Sequence, residues 1–95
     1  MEKIKLHEIK LDLNFADDVL SGRKTFEVRT CDRAYQRNDL IRFNVINHKK
    51  KSVDHELNEI IHKITYVMSG FGIKDGWVVF GIKPKLDRIE QGRAE

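Results

Sequence analysis

The chain has 95 residues, 35% charged and 40% hydrophobic, with a formal net charge of +3 and a pI near 9.1. That length holds one domain with a modest core and excludes two independent ones, and the composition favours a folded globular chain over a disordered one. The basic excess is mild, so nucleic acid is allowed as a partner without being demanded.

No apolar run approaches the roughly 20 residues that span a bilayer, and the opening Met-Glu-Lys-Ile-Lys-Leu lacks the hydrophobic block of a signal peptide. A cytoplasmic protein with no membrane association is expected. The lone Cys31 fits a reducing compartment and leaves neither an intrachain disulfide nor a zinc ribbon.

In chain order, Ile4, Leu6, Ile9, Leu11 and Leu13 alternate well enough to predict a strand over residues 3–11, with His7 inside it. Asn14 suits a helix N-cap, Asp17 and Asp18 suit the positive end of the helix dipole, and Phe15, Val19 and Leu20 form an apolar stripe. A helix from Phe15 to Ser21 is expected, closed by Gly22 in a left-handed conformation. Arg23 and Lys24 then turn into a strand, Thr25 to Arg29, whose alternation sends Phe26 and Val28 into the core. Thr25, Glu27 and Arg29 take the polar face, with Asp32 and Arg33 just beyond.

The polar segment from Asp32 to Asp39 reads as a loop, and Leu40 to Ile46 as a strand. His48 to Asp54 reads as a hairpin connection whose Lys49, Lys50 and Lys51 are a solvated tip. From Glu59 to Met68 the β-branched density favours a strand, with a helical turn open at its start. Ser69 to Gly76, with three glycines, reads as a loop. Trp77 to Ile82 is an apolar run of sheet-interior character, ended by Pro84. Residues 85–95 form a charged tail, expected to be a frayed helix or disordered, which leaves residues 1–84 as the domain. Five or six strands with one early helix predict an α+β fold, a small curved sheet or partly closed barrel.

Lys24, Thr25, Glu27 and Arg29 are the most informative group, because a hydroxyl, a carboxylate and two cations share one turn and strand. They fit a site that binds a polar base or phosphate, or one that activates a nucleophile. They equally fit cross-strand ion pairs on a solvated face, the mark of a protein-interaction module without a cleft. The glycines from Gly70 to Gly76 lack the Gly-Lys-Ser/Thr ending of a phosphate-binding loop. His55 and His62 stand seven apart without a His-Glu-x-x-His motif, so neither a metal nor a cofactor is expected.

The succession Leu20-Ser21-Gly22-Arg23-Lys24-Thr25-Phe26-Glu27-Val28-Arg29, followed by Asp32-Arg33 and Asn38-Asp39-Leu40, resembles the ASCH family of the PUA-like superfamily. More narrowly it is similar to the small bacterial and phage proteins of the DUF3850, or ASCH/RNA-binding-like, branch. His7-Glu8-Ile9-Lys10, Ile64-Thr65-Tyr66-Val67-Met68 and Gly76-Trp77-Val78-Val79-Phe80 agree with it, so the likeness spans about residues 6–82. The resemblance implies a PUA-like β-barrel with the helix beside a cleft, and RNA or a nucleotide-like ligand as partner.

The expected ligand-binding residues are His7, Lys24, Glu27, Arg29, Asp32 and Arg33, together with Tyr66, Ser69, Gly70 and Trp77. Tyr35, Tyr66, Phe71 and Trp77 supply rings on which bases stack. A related ASCH branch looks like amidohydrolases that deacylate N4-acetylcytidine, using the lysine of Gly-x-Lys, a threonine three residues later and a glutamate on a later strand. Here Lys24 matches, but Glu27 occupies the threonine position, and Glu59 is the candidate counterpart of the later glutamate. If the protein is an enzyme, its catalytic residues are Lys24 with Glu27 or Thr25, Glu27 activating water while Lys24 and Arg29 stabilise the oxyanion.

Overall fold

The computed structural model describes residues 3–85; the tail expected over 85–95 lies, from residue 86, outside the described residues. Five strands, β1 (Leu6–Asp12), β2 (Phe26–Thr30), β3 (Leu40–Ile46), β4 (Ile61–Met68) and β5 (Trp77–Pro84), form one sheet curled into a half-barrel. The order across the sheet is β1-β3-β4-β5-β2, with β1 parallel to β3 and every other pair antiparallel. The first two strands of the chain are therefore the two free edges. The fold is the expected small α+β, barrel-like one, with one helix, α1 (Leu13–Leu20).

Side-chain alternation assigns the concave face. His7, Ile9 and Leu11 of β1 lie in register with Ile41, Phe43 and Val45 of β3, and all six are buried. Ile64 of β4 and Val78, Phe80 and Ile82 of β5 complete the core. Residues opposite each other in a ladder share a face, so this row fixes which residue of each strand looks inward. A single 3-10 turn, Glu56–Glu59, precedes β4, and its fully buried Leu57 joins Ala16 and Val19 of α1 in the core.

Four expectations are corrected. β1 starts at Leu6 rather than residue 3, and Ile4, Leu6 and Leu13 are exposed, because the inward register belongs to His7, Ile9 and Leu11. The helix begins at Leu13, and its N-cap is Asp12, whose carboxylate accepts from Asn14 N at 2.8 Å, so Asn14 lies inside the helix. β5 runs two residues past the expected Ile82, to Pro84, at which it ends.

The fourth correction bears most on function. Phe26 and Val28 do not enter the core: they are 46% and 49% exposed, whereas Glu27 between them is 3% exposed. Glu27 lies opposite the buried Phe80 and so takes the concave face, while Phe26 and Val28 lie opposite Gly81 and Val79 on the convex one. The hydrophobic effect favours the reverse, and it is overridden because the flanking Lys24 and Arg29 satisfy the carboxylate that goes in.

Candidate functional site

Gly22, at φ +85°, closes α1 as expected and turns the chain so that Lys24 arrives beside β2. The Lys24 ammonium donates to Glu27 Oε2 at 2.5 Å and to the Phe26 carbonyl at 2.7 Å. On the other side Arg29 donates through Nε and Nη2 to Glu27 Oε1, at 3.1 and 2.9 Å. One buried carboxylate thus holds two cations, each of which keeps part of its side chain in contact with solvent. Fixed, charge-assisted bonds of this kind orient both oxygens.

Arg29 also spans the mouth of the half-barrel, its Nη2 donating to the carbonyl of Lys10 on β1 at 2.5 Å. Beyond it Arg33 donates to the carbonyl of Glu8 at 3.4 Å. Residues 8 and 10 lie on alternate positions of an edge strand whose other side pairs with β3, so these carbonyls face the gap where no strand bonds them. Two arginines stand in for the missing ladder.

Arg29 divides this seam into two hollows. The larger, about 540 Å³, is bounded by the end of β1, α1 and β2, and its walls include Asp12, Phe15, Lys24, Phe26, Glu27 and Trp77. Lys10, Arg29 and Lys50 border it as well, so four cations and three aromatic rings surround one deeply set carboxylate. Lys24 Nζ lies 5.0 Å from the Phe26 ring centre and 5.6 Å from that of Phe15. The smaller hollow, about 250 Å³, is lined by Arg29, Asp32, Arg33 and Tyr35 among others.

The expected site residues are distributed unevenly. Lys24, Glu27, Arg29 and Trp77 meet in the larger hollow, and Asp32 and Arg33 line the smaller one. Thr25 is exposed and borders neither. Tyr66 is on the convex face, opposite Gly81, and Ser69 and Gly70 are exposed in the β4–β5 loop. Glu59 is exposed at the end of the 3-10 turn, outside both hollows.

His7 is buried behind the seam. Its Nε2 bonds the buried Asp39 carboxylate at 2.8 Å, and its ring lies 5.0 Å from Tyr35, which in turn lies 4.6 Å from Phe80. Asp39 accepts as well from Gln36 N and Lys5 N, so the pair ties the loop before β3 to β1. Burial raises the Tyr35 pKa above its usual value near 10, outweighing the nearby Arg33 guanidinium, which acts in the opposite direction.

Phe15, Phe26, Lys10 and Lys50 were not among the expected ligand-binding residues. Alternation alone places Phe26 in the core, and a charge run alone marks Lys50 as a solvated tip. Asn47 holds the turn that carries Lys50, its side chain accepting from Lys49 N and Lys51 N. Only the proximity of this turn to the end of β1 brings Lys50 to the cavity.

His55 and His62 serve the fold. His55 caps the 3-10 turn through Nδ1, which accepts from Leu57 N, and its Nε2 bonds Asp17 at 2.9 Å. His62 is buried edge-on to Phe43 with no hydrogen-bond partner at Nδ1. Burial lowers the His62 pKa, against a smaller upward pull from the Ile60 backbone and from Glu27. No group of three His, Cys, Asp or Glu side chains is placed to hold a metal ion among the described residues, and no described helix is long and apolar enough to cross a membrane.

No curated protein matches the chain. Residues 6–82, which contain all five inward-facing strand segments, α1 and both hollows' principal residues, match the family described as a domain of unknown function, DUF3850, and the chain belongs to that family.

Proposed function

We propose that the chain is an RNA- or nucleotide-binding domain of the PUA-like class, related to the ASCH family, and that the larger hollow takes one base of its ligand. The observation that carries this reading is the Glu27 carboxylate, set deep in a cavity of about 540 Å³ between Lys24 and Arg29. The volume lies within the range of about 300–1,000 Å³ usual for small-molecule sites. A carboxylate with a fixed orientation accepts from the exocyclic amine of cytosine or from the donor edge of guanine. Phe15, Phe26 and Trp77 offer faces for stacking, and Lys10 and Lys50 supply charge for a phosphate at the rim.

Binding is the better reading than hydrolysis for this site. The related deacylating branch places a threonine where this chain has Glu27, and Thr25 borders neither hollow. Nor is the trio a set of solvated edge pairs, since its carboxylate is buried and looks into a concave space.

Isothermal titration of nucleosides and short RNAs at low and high salt tests the proposal. Binding of a base with an amino edge, strengthened at low salt when a phosphate is attached, is the expected result. Absence of binding by every nucleoside and RNA at low salt overturns it.

A further inference from the structure

The convex face carries a second arrangement, which shares only Phe26 with the cleft. On it Lys63 of β4 lies directly opposite Lys83 of β5. Like charges facing each other across a ladder are destabilising, and folding supplies no reason for the pair. With Arg37, Asn38 and Thr65 they line a depression of about 270 Å³, and neither lysine nor Arg37 is ion-paired among the described residues. The backbone that carries Arg37 is held in place. It sits at the corner of a tight turn closed by Asp39 N donating to Gln36 O at 3.0 Å, with Asn38 at φ +80°. The Asp39 side chain that accepts from Gln36 N is itself fixed by His7.

Two residues back along β5, about 7 Å from Lys83, Gly81 is flanked in register by Phe26 of β2 and Tyr66 of β4. Tyr66 is 59% exposed, and Phe26 nearly half. The two rings therefore rise on either side of a position without a side chain, on strands about 10 Å apart. Thr65, the extra residue of the bulge in β4, leans over that floor: a methyl group at Gly81 would lie 2.5 Å from its hydroxyl oxygen. The same Thr65 borders the basic depression, so the two features are continuous.

We propose that the convex face of β4, β5 and β2 is a second site, one that binds single-stranded nucleic acid. A backbone phosphate is held by Arg37, Lys63 and Lys83, and the adjoining base lies between Tyr66 and Phe26, on the Thr65 side chain that covers Gly81. Charge selects the occupant: three clustered cations call for a polyanion, and exposed rings beside them favour one whose bases are free to stack. This site meets the cleft only at Phe26, which borders both, and its test varies Lys63, Lys83 and Tyr66, none of which lines the cleft.

The experiment measures fluorescence anisotropy of the full chain with labelled oligouridylate and its deoxy counterpart over a range of salt. The Lys63→Gln/Lys83→Gln double variant is expected to bind at least about tenfold more weakly at low salt, with a salt slope shallower by about 0.7, the value for one phosphate contact on a single strand. Lys63→Arg/Lys83→Arg is expected to restore binding. Tyr66→Ala is expected to lose about tenfold with the slope unchanged. Nucleoside binding in the cleft is expected to persist in all three variants, each checked for folding by circular dichroism. Binding of both single strands, or of RNA alone, supports the proposal. Wild-type affinity and slope in the glutamine double variant overturn it. So does indifference to Tyr66→Ala with equal competition by heparin, which would make the face a general polyanion patch, and so does a preference for duplex.

Discussion

The Arg29 guanidinium on β2 donates to the Lys10 carbonyl on β1 at 2.5 Å while binding Glu27 through the same nitrogen and its Nε, so one side chain joins the two free edges of the sheet to the floor of the cleft. Stability and site geometry therefore depend on a single residue. Arg29→Ala leaves the Lys10 carbonyl unbonded by a side chain and Glu27 with Lys24 alone. The expected cost is about 1.5–3 kcal/mol, the range for hydrogen bonds to charged groups. Arg29→Lys is expected to recover only part of it, because an ammonium cannot reproduce the planar fork. Urea denaturation of the three proteins provides the measurement.

Glu27→Gln keeps the size of the side chain and removes its charge. Two half-buried cations then lack a counter-charge, and the amide offers one acceptor where the carboxylate offered two. Nucleoside affinity in the cleft is expected to fall at least about tenfold, equivalent to about 1.4 kcal/mol, as read by titration calorimetry. N4-acetylcytidine incubated with the wild type is expected to remain intact by chromatography. Turnover that Glu27→Gln abolishes would instead establish the hydrolytic reading, and loss of turnover in Thr25→Val with Glu27→Gln active would assign the nucleophile to Thr25.

Asp39 is the second buried carboxylate on which several groups converge. It accepts from His7 Nε2, Gln36 N and Lys5 N. Asp39→Ala strands the buried His7 ring and frees the turn that carries Arg37. A loss of about 2–4 kcal/mol is expected, seen as a drop of more than about 8 °C in melting temperature for a domain of this size. Asp39→Asn is expected to lose less, since its carbonyl still accepts.

His62 sets an acid limit. Its pKa in the folded state is depressed, chiefly by burial, below an unfolded value near 6.5. Below that pH the unfolded chain takes up a proton that the folded chain resists, so the contribution of this residue to stability is intact above about pH 6.5 and declines as the pH falls. His62→Leu removes the effect and the unpartnered Nδ1 together. The acid limb of its stability profile, from urea midpoints at several pH values, is expected to be shallower by up to about 1.4 kcal/mol per pH unit.

Much of the fold was legible from local chemistry. The strand from Leu40 to Ile46 has the predicted bounds, the β4–β5 loop falls at its glycines, and the helical turn left open before β4 is the 3-10 turn. The charged turn and strand from Lys24 to Arg29 could also be identified as a unit, because a carboxylate between two cations is visible in a linear string. Strand alternation further determined that Phe26 and Val28 would lie opposite Glu27 and Arg29.

Which of those two faces turns inward was decided only by the tertiary structure. Period-two alternation defines two sides without orienting them, and hydrophobicity alone chose the wrong one for β2. The orientation follows from the β2–β5 register, which sets Glu27 against the buried Phe80, and from the curl of the sheet, which brings the Lys10 carbonyl within reach of Arg29. The same long-range pairing separates Tyr66 from the cleft and sets it beside Gly81, and it carries Lys50 to the cavity. These relationships join residues that are distant in the chain, so no local propensity encodes them; they arise when strands pair in a particular order and the sheet curls into its half-barrel.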